Sequence, residues 1–403
     1  MNRKGRRNFI YGMMAGMLLF VLLTLLMNLF GIKLFSASSL ADDIRSRAKV
    51  VESYIDRYYW KDDVSDQKIS EYAAKGMVSA LEDKYSVYYT DEELDQSLED
   101  VEGDYGGIGA TVQMDEETGE KVIMEVKKGK PAEKAGLRVG DIIQKVGDTD
   151  VKKLSLSDTV KLIKGEEGKK SLLTVSRTEQ GRTVTKSITV VCEKIIDQTV
   201  TYKMLDNSIG YIAVSAFNKE TVTQYRDAIH ALDQKGQKGM ILDLRNNGGG
   251  SLSAAIDMLD CMLKKGDLIT EKSKLNGDKT YHSTDKEHFD KPVLILINEG
   301  SASASEVFAG CMQDRKAAIL VGVKSFGKGI VQTIFSLKNS CGGGIKLTTG
   351  EYLLPSGRCI QEKGLTPDVE VKYTGTSNKF AEKDDSQLQK AIEVMKQKTA
   401  SGN

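Results

Sequence analysis

The residues most able to do chemistry are a serine and a lysine in the C-terminal half, Ser303 and Lys328, which lie 25 residues apart. A serine hydroxyl needs an adjacent base near neutral pH, and a lysine can be that base only if its surroundings lower its pKa. The chain has three histidines, none in a motif typical of a catalytic histidine: His230, His282 and His288. The pattern therefore favours Ser/Lys chemistry over a Ser/His/Asp triad.

Ser303 is the candidate nucleophile. The apolar run Val293–Ile297 predicts a buried strand, residues 298–300 a turn, and the stretch from Glu306 onward a helix. Ser303 then lies near a helix N-terminus, where the dipole and free N–H groups can stabilise an oxyanion, with the N–H of Ala304 as first donor. The same residues also match a capping box, in which serine and glutamate only satisfy helix-end N–H groups. Taken alone, the capping explanation is the stronger one.

Lys328 is the candidate base, because Gly327 and Gly329 leave the backbone free to bring its amine close to another group. Gln332 follows four residues later, a spacing that returns to nearly the same face of a helix or strand, so its amide can hydrogen-bond the amine. A neutral amide orients the lysine without the charge of a carboxylate, which would raise the lysine pKa. This second segment makes catalysis the better explanation of Ser303.

A third segment, residues 240–252, contains an apolar run and a triple-glycine turn, and an amphipathic helix is predicted to follow over residues 252–263. Backbone N–H groups in the turn, at Gly248, Gly249 and Gly250, can complete an oxyanion hole. A plain strand-to-helix turn explains the same residues, and such turns are common. This segment is therefore weak evidence when taken alone.

Together these segments resemble the carboxyl-terminal processing proteases, also called tail-specific proteases, a family of Ser/Lys peptidases with a PDZ domain. The resemblance covers nearly all of residues 45–375 and depends on DLRNNGGG, SASASE, FGKGIVQ and the closing LTTGEYLLPSGRCIQEKGLTPDVEV. It implies Ser303 as nucleophile, Lys328 as general base, Gln332 as the residue that positions the lysine, and the N–H groups of Gly249 and Ala304 as oxyanion donors.

The resemblance also implies the fold and the reaction. The fold is an α/β peptidase core over residues 194–374, akin to the crotonase and ClpP-type superfamily, with an inserted β-rich PDZ domain and flanking helical segments. The reaction is acyl transfer: neutral Lys328 accepts the proton of Ser303, the serine attacks the scissile carbonyl, and water releases the acyl group. No metal or organic cofactor is implied.

Residues 99–193 predict a compact β-rich domain, because apolar residues alternate between glycine turns and one short helix is predicted at residues 157–163. The region resembles a PDZ domain, which binds an extended C-terminal peptide by strand addition. The resemblance implies that Gly107, Ile108 and Gly109 capture the terminal carboxylate, so substrates are expected to be proteins or peptides with free, apolar C-termini. A β-domain used only as a spacer is the alternative.

Two positions depart from the pattern of the family. Gly248 stands where the family usually has proline, which loosens the loop but leaves the following glycines in place. Lys164 stands where arginine is often found, so a regulatory contact that needs a guanidinium fork is in doubt.

The N-terminus predicts a membrane anchor. Residues 9–32 are uncharged and mostly apolar, and a helix of this length, at about 1.5 Å per residue, exceeds the roughly 30 Å hydrocarbon core. Four basic side chains lie in residues 1–8 while Asp42 and Asp43 follow the run, so residues 1–8 are expected in the cytosol and the catalytic part outside a single-pass cell membrane. The alternative is a signal peptide cleaved near residues 36–38, which would release a secreted enzyme.

The flanking regions predict helices. Residues 40–98 carry charged and aromatic residues at helical spacing, and residues 375–403 read as a polar linker followed by a helix at residues 386–397. In related proteases such flanking helices build a dimer, so a homodimer is expected. Packing of the apolar helical face on the chain's own core explains the pattern equally well.

Composition argues against several functions. The 57 basic and 57 acidic residues balance, so there is no electrostatic case for nucleic-acid binding. There is no HExxH motif and no histidine with a ligand partner, which argues against a metalloprotease. The five cysteines are irregularly spaced without a CxxC pair and predict buried small residues, although one disulfide stays open in an oxidising compartment. The main rival is a proteolytically inert, PDZ-containing membrane scaffold.

Overall fold

The computed structural model describes residues 39–61, 64–375 and 384–400, in which the chain divides into two units, Met1–Tyr72 and Ala73–Asn403. The predicted anchor at residues 9–32 and most of the polar linker, residues 376–383, lie outside the described residues. Among the helices that are described, none has the length and apolar character needed to cross a membrane.

Helix α1 spans Leu40–Tyr58 in the first unit, and helix α2 spans Asp66–Ser79. Ser39 begins α1 by accepting the N–H of Asp42 on its hydroxyl, as an N-cap serine does. No residue of α1 is buried. The helix therefore exposes its apolar side chains.

The prediction of helix throughout residues 40–98 is wrong at one short strand, β1, which spans Val87–Tyr89. This strand pairs with a distant segment, Gly344–Leu353, and three residues are too few to show the period of a strand. Helix α3 follows at Asp91–Glu102. The predicted domain boundary at residue 99 therefore falls inside this helix.

The predicted PDZ region forms its own antiparallel sheet with a separate hydrophobic core. The strand order is β3-β4-β5-β7-β8 with β6 on β5, while β2 and β9 pair with each other where the chain enters and leaves. Helix α5 confirms the predicted helix at residues 157–163, whereas the five-residue helix α4 was not predicted. The elements are β2 Asp104–Gly107, β3 Ala110–Met114, β4 Lys121–Val126, α4 Pro131–Ala135, β5 Ile142–Val146, β6 Thr149–Asp150, α5 Leu156–Ile163, β7 Lys170–Glu179, β8 Arg182–Val191 and β9 Glu193–Ile196.

Outside the predicted PDZ region, the described strands form two further sheets. One has six strands in the order β10-β11-β12-β15-β16-β19, parallel except for β10, and the other combines β1, β13, β14, β17 and β18. The elements are β10 Val200–Leu205, β11 Ile209–Val214, α6 Lys219–Gln234, β12 Gly239–Asp243, α7 Leu252–Asp260, β13 Gly266–Ser273, β14 Gly277–Ser283, β15 Val293–Ile297, α8 Ala304–Asp314, β16 Ile319–Gly322, β17 Ile330–Ser336, β18 Gly344–Leu353, β19 Val369–Glu370 and α9 Ser386–Ala400.

The six-stranded sheet is covered on both faces. Every residue of β12 and β15 is buried, as expected for parallel strands between helices. Met240 and Leu242 pack in one cluster with helices α6, α7 and α8, whereas Ile241 packs with Leu388 and Met395 of helix α9. Helix α9 confirms the predicted last helix, and α7 ends three residues before the predicted end at residue 263.

All five cysteines are free, and they differ in exposure. Cys192, Cys261 and Cys311 are buried, as predicted, whereas Cys341 is exposed and Cys359 is partly exposed. The prediction of buried cysteines is therefore wrong for the last two, which lie in the segments that flank strand β18.

Candidate active site

The loops after β12 and β15 meet at one edge of the sheet, because neighbouring parallel strands end on the same side. The Asn246 N–H donates to Oδ1 of Asn298 at 2.8 Å, and the Asn298 amide donates back to Oδ1 of Asn246 at 2.8 Å. The carbonyl of Asn247 accepts the N–H of Ala302 at 3.0 Å and the hydroxyl of Ser305 at 2.8 Å. These bonds bring the glycine turn against the predicted nucleophile.

Ser303 directly precedes helix α8 and has a strained backbone, with φ 56° and ψ −117°. Such a conformation costs a non-glycine residue roughly 1–3 kcal/mol and persists only where the surroundings fix it. The side chain is half-buried, so it remains accessible. Ala304 begins α8, and within the described chain its N–H has no acceptor. It is therefore free to bind a substrate oxygen.

Gly249 lies against the nucleophile. A Cβ at this position would be 2.7 Å from the Ala302 carbonyl oxygen and 2.9 Å from Cβ of Ser303, and its φ is +103°. Only glycine fits such a close approach. The Gly249 N–H, the second predicted oxyanion donor, donates to Oδ1 of Asn247 at 2.9 Å. The structure therefore places this donor beside Ser303 but with its N–H occupied.

Lys328 and Gln332 lie together as the sequence spacing predicted. The Lys328 amine donates to Oε1 of Gln332 at 2.8 Å. Lys328 lies in the loop before β17, and a register shift of that strand falls between Val331 and Gln332. A bulge of this kind changes the direction in which a side chain points, and this one lies next to Gln332.

The environment of Lys328 suits a base. Burial lowers the pKa of its amine, and the positive charge of Lys346 lowers it further, whereas Asp83 and Glu306 act in the opposite direction. The ring of Tyr85 lies with its centroid 5.0 Å from the amine nitrogen. The net pKa is below its usual value, so the neutral amine is more accessible near neutral pH than in a free lysine.

Glu306 joins the two halves of the site and is completely buried. Its Oε2 accepts the Ser303 N–H at 2.9 Å and the Lys328 N–H at 2.8 Å. Because both N–H groups donate to the same oxygen atom, Glu306 holds the backbones of Ser303 and Lys328 close together. Its Oε1 accepts the Ser325 hydroxyl at 2.5 Å and the Gly327 N–H at 2.7 Å.

The sequence predicted only the helix-capping half of this arrangement. The capping-box spacing of Ser303 and Glu306 was visible, but the bonds from Glu306 to Gly327 and Lys328 are long-range and carry no sequence signal. Capping and catalysis are therefore not alternatives here, because the capping carboxylate also fixes the backbone of the candidate base.

The predicted carboxylate loop borders a cleft in the PDZ region. Gly107 ends β2, and the loop residues Ile108 and Gly109 have N–H groups without an acceptor in the described chain. The cleft beside them, about 320 Å³, is also lined by residues of β3, α5 and α3. Lys164 lies at its rim, paired with Glu99 at 2.5 Å and over the Tyr105 ring, 4.8 Å from the centroid.

Comparison with known proteins gives matches to both regions of the chain. The sequence pattern of Peptidase family S41 matches residues 208–371, and that of a PDZ domain matches residues 122–177. The carboxy-terminal processing protease CtpA of Bacillus subtilis (strain 168) is 37% identical over 325 residues, which cover 80% of this chain and 68% of that protein. A probable CtpA-like serine protease of Staphylococcus haemolyticus (strain JCSC1435) is 38% identical over 343 residues, covering 83% of this chain and 66% of that protein.

Solved structures match at lower similarity. A photosystem II D1 C-terminal processing protease aligns over 82% of this chain and 88% of its own, with 27% identity and a TM-score of 0.46. A putative S41 protease from Bacteroides fragilis NCTC 9343 aligns over 86% of this chain and 97% of its own, with 16% identity and a TM-score of 0.49. On the evidence of its curated relatives and family matches, the chain belongs to peptidase family S41, among the CtpA-like carboxy-terminal processing serine proteases.

Proposed function

We propose that the chain is a membrane-anchored endopeptidase that recognises protein C-termini through its PDZ domain and cleaves with a Ser303/Lys328 dyad in the extracytoplasmic space. The observation that carries the dyad is the geometry around one buried carboxylate. Glu306 holds the backbone of both residues, while Gln332 accepts a hydrogen bond from the lysine amine. A serine at a helix start and a lysine with lowered pKa are the two parts that such chemistry requires.

In the proposed reaction, neutral Lys328 takes the proton of the Ser303 hydroxyl as the serine oxygen attacks the scissile carbonyl. The Ala304 N–H stabilises the developing oxyanion, since it is free at the start of α8. Gly249 is the second donor only after it releases Asn247, to which its N–H is bonded at 2.9 Å. Protonated Lys328 then gives the proton to the leaving amine, and water hydrolyses the acyl-enzyme.

Recognition of tails is supported by the cleft next to Gly107, Ile108 and Gly109. The free N–H groups of the loop suit a carboxylate, and strand β3 offers an edge on which an extended peptide can pair. Apolar side chains of Val160 and Ile163 in the same cleft favour apolar tail residues.

Membrane anchoring and the extracytoplasmic location are proposed from the uncharged run at residues 9–32 and its basic flank.

A homodimer is supported by helix α1, which exposes Val50, Val51, Tyr54 and Tyr58 at 57%, 58%, 63% and 66%. Sedimentation of the fragment 39–403 tests this, because a monomer at micromolar concentration contradicts the dimer.

The proposed enzyme is tested with the fragment 39–403 and an unfolded protein that ends in apolar residues. The intact fragment should cleave it, whereas Ser303→Ala and Lys328→Arg should not. Lys324→Arg is the matched control, because Lys324 is a nearby exposed lysine. If Ser303→Ala cleaves as fast as the parent, the dyad is wrong. If the parent binds the tail without cleaving it, the chain is the inert scaffold.

A further inference from the structure

A turn that is far from Ser303 and Lys328 in sequence is hydrogen-bonded to strand β18. Residues 83–86, called the Asp83 turn below, precede β1. The Asp83 carboxylate accepts the N–H of Tyr85 at 3.0 Å and the hydroxyl of Ser86 at 2.6 Å. It also accepts the hydroxyl of Thr348 on β18 at 2.6 Å, while the Thr348 N–H donates to the Ser86 hydroxyl at 3.1 Å. These four bonds fix the turn internally and against β18.

The Asp83 turn reaches the lysine through Gln332. The Gln332 side-chain NH₂ donates to the backbone carbonyl of Tyr85, and its Oε1 accepts from the Lys328 amine at 2.8 Å. A carbonyl oxygen can only accept, so it must face the NH₂ end of the amide. The oxygen end is thereby left for the lysine.

This orientation matters for a base. When a neutral amine donates one N–H to Oε1 of Gln332, its lone pair remains available for the serine proton. If the amide were reversed, its NH₂ would face Lys328 and compete for that lone pair. The Tyr85 carbonyl therefore decides which hydrogen bond Gln332 offers.

We infer that the Asp83 turn is a positioning element of the dyad: the Tyr85 carbonyl sets the orientation of the Gln332 amide, and Asp83 and Thr348 hold that carbonyl in place. The inference rests on the proposed dyad of Ser303 and Lys328. It adds residues from the N-terminal side of the PDZ domain to a site otherwise built from the peptidase region.

Substitutions of Asp83 can separate the effect of its charge on Lys328 from its effect on the shape of the turn. Among the described residues, the charged groups that shift the pKa of the Lys328 amine are Lys346, Asp83 and Glu306, and the amine contacts the Tyr85 ring and the Gln332 amide. In Asp83→Asn, the amide oxygen still accepts the Tyr85 N–H and the NH₂ donates to the hydroxyls of Ser86 and Thr348, which can also accept. That variant keeps the turn and loses the charge, whereas Asp83→Ala loses both.

The experiment measures kcat and KM of the full chain against pH with an internally quenched peptide that has a free C-terminus. Asp83→Ala and Thr348→Val should lower kcat roughly tenfold with KM unchanged, as expected when only orientation of a catalytic group is lost. Asp83→Asn should keep kcat within about twofold, and its rising pH limb should move to lower pH, because the carboxylate that favours protonated Lys328 is gone.

A double-mutant cycle identifies the route. If the turn acts through Gln332, Asp83→Ala should cause no further loss of kcat in a Gln332→Ala background. The matched control is Asp115→Ala, since the Asp115 carboxylate also accepts two N–H groups and a hydroxyl, in the hairpin between β3 and β4. It should leave kcat unchanged.

An unchanged kcat in Asp83→Ala, or an equal loss in the presence and absence of Gln332, would overturn the inference. Thermal unfolding is measured for each variant, and Thr348→Val gives the same test if Asp83→Ala does not fold. Ser303→Ala distinguishes a failure of this inference from a failure of the proposed dyad, because activity in that variant would refute the dyad itself.

Discussion

The most demanding prediction concerns Glu306→Gln, which keeps the shape of the side chain and removes its charge. The carboxylate accepts four hydrogen bonds in a completely buried site. The amide has one accepting end only. Because the Ser325 hydroxyl can rotate to accept, the NH₂ end is expected to face Ser325 and Gly327, so that the bonds to Ser303 and Lys328 survive in weaker form.

The magnitude follows from these contacts. The buried Gly327 N–H loses its acceptor, at a cost of roughly 1–3 kcal/mol, and the bonds from Ser303 and Lys328 lose their charge assistance, at about 1 kcal/mol each. The expected loss in the free energy of unfolding is about 3–5 kcal/mol. Since native domains are stable by roughly 5–15 kcal/mol, the variant should fold at 25 °C but unfold at a lower urea concentration.

The pH dependence of activity should also change in Glu306→Gln, in a direction that the structure defines. The charge of Glu306 raises the pKa of Lys328, so its removal lowers that pKa and moves the rising limb of the pH profile to lower pH. The maximum of kcat should fall roughly tenfold, because the weaker bonds position the dyad less well. Glu299→Gln, at an exposed site, is the control. Wild-type stability and an unmoved pH limb in Glu306→Gln would refute the reasoning.

Three further predictions use other parts of the site. Activity of the parent should rise with pH through an apparent pKa below the roughly 10.4 of free lysine, and Lys328→Arg should be inactive at every pH because guanidinium stays charged. Gly249→Ala should lower kcat at least roughly hundredfold, since its Cβ would lie 2.7 Å from the Ala302 oxygen, while Gly248→Ala, whose Cβ would meet nothing within 4 Å, should be active. Amidating the C-terminus of a peptide should raise its KM, and deleting residues 100–190 should abolish the difference between acid and amide; equal cleavage of both by the intact fragment would contradict tail sensing.

Local patterns predicted much of the peptidase region. The run Val293–Ile297 is long and apolar enough to define a buried strand, and the turn residues after it place Ser303 at a helix start. The four-residue spacing likewise anticipated the bond between Lys328 and Gln332. These predictions work because the residues that determine the structure are neighbours in the chain.

Backbone state and hydrogen-bond partners could not be predicted in this way. The left-handed φ of Ser303 has no signature in the neighbouring residues, and nothing in the triple-glycine turn shows that the Gly249 N–H is bonded to Asn247. Strand β1 was missed because its pairing partner lies on β18. In each case the deciding contact is tertiary, and tertiary contacts override local preference.

The same distinction separates the residues proposed to react from the residues proposed to orient them. Ser303 and Lys328 stand out because their chemistry is a property of the side chain, whereas the role proposed for Tyr85 uses a backbone carbonyl that every residue type possesses. Its bond to Gln332 spans 247 positions, and that between Asp83 and Thr348 spans 265. The carbonyl at position 85 therefore does not depend on residue type, whereas the Tyr85 ring, whose centroid lies 5.0 Å from the Lys328 amine, does. The constraint on the carbonyl falls on Asp83, Ser86 and Thr348. Substitutions at these three positions, more than at Tyr85 itself, should reveal whether the orientation of the Gln332 amide matters.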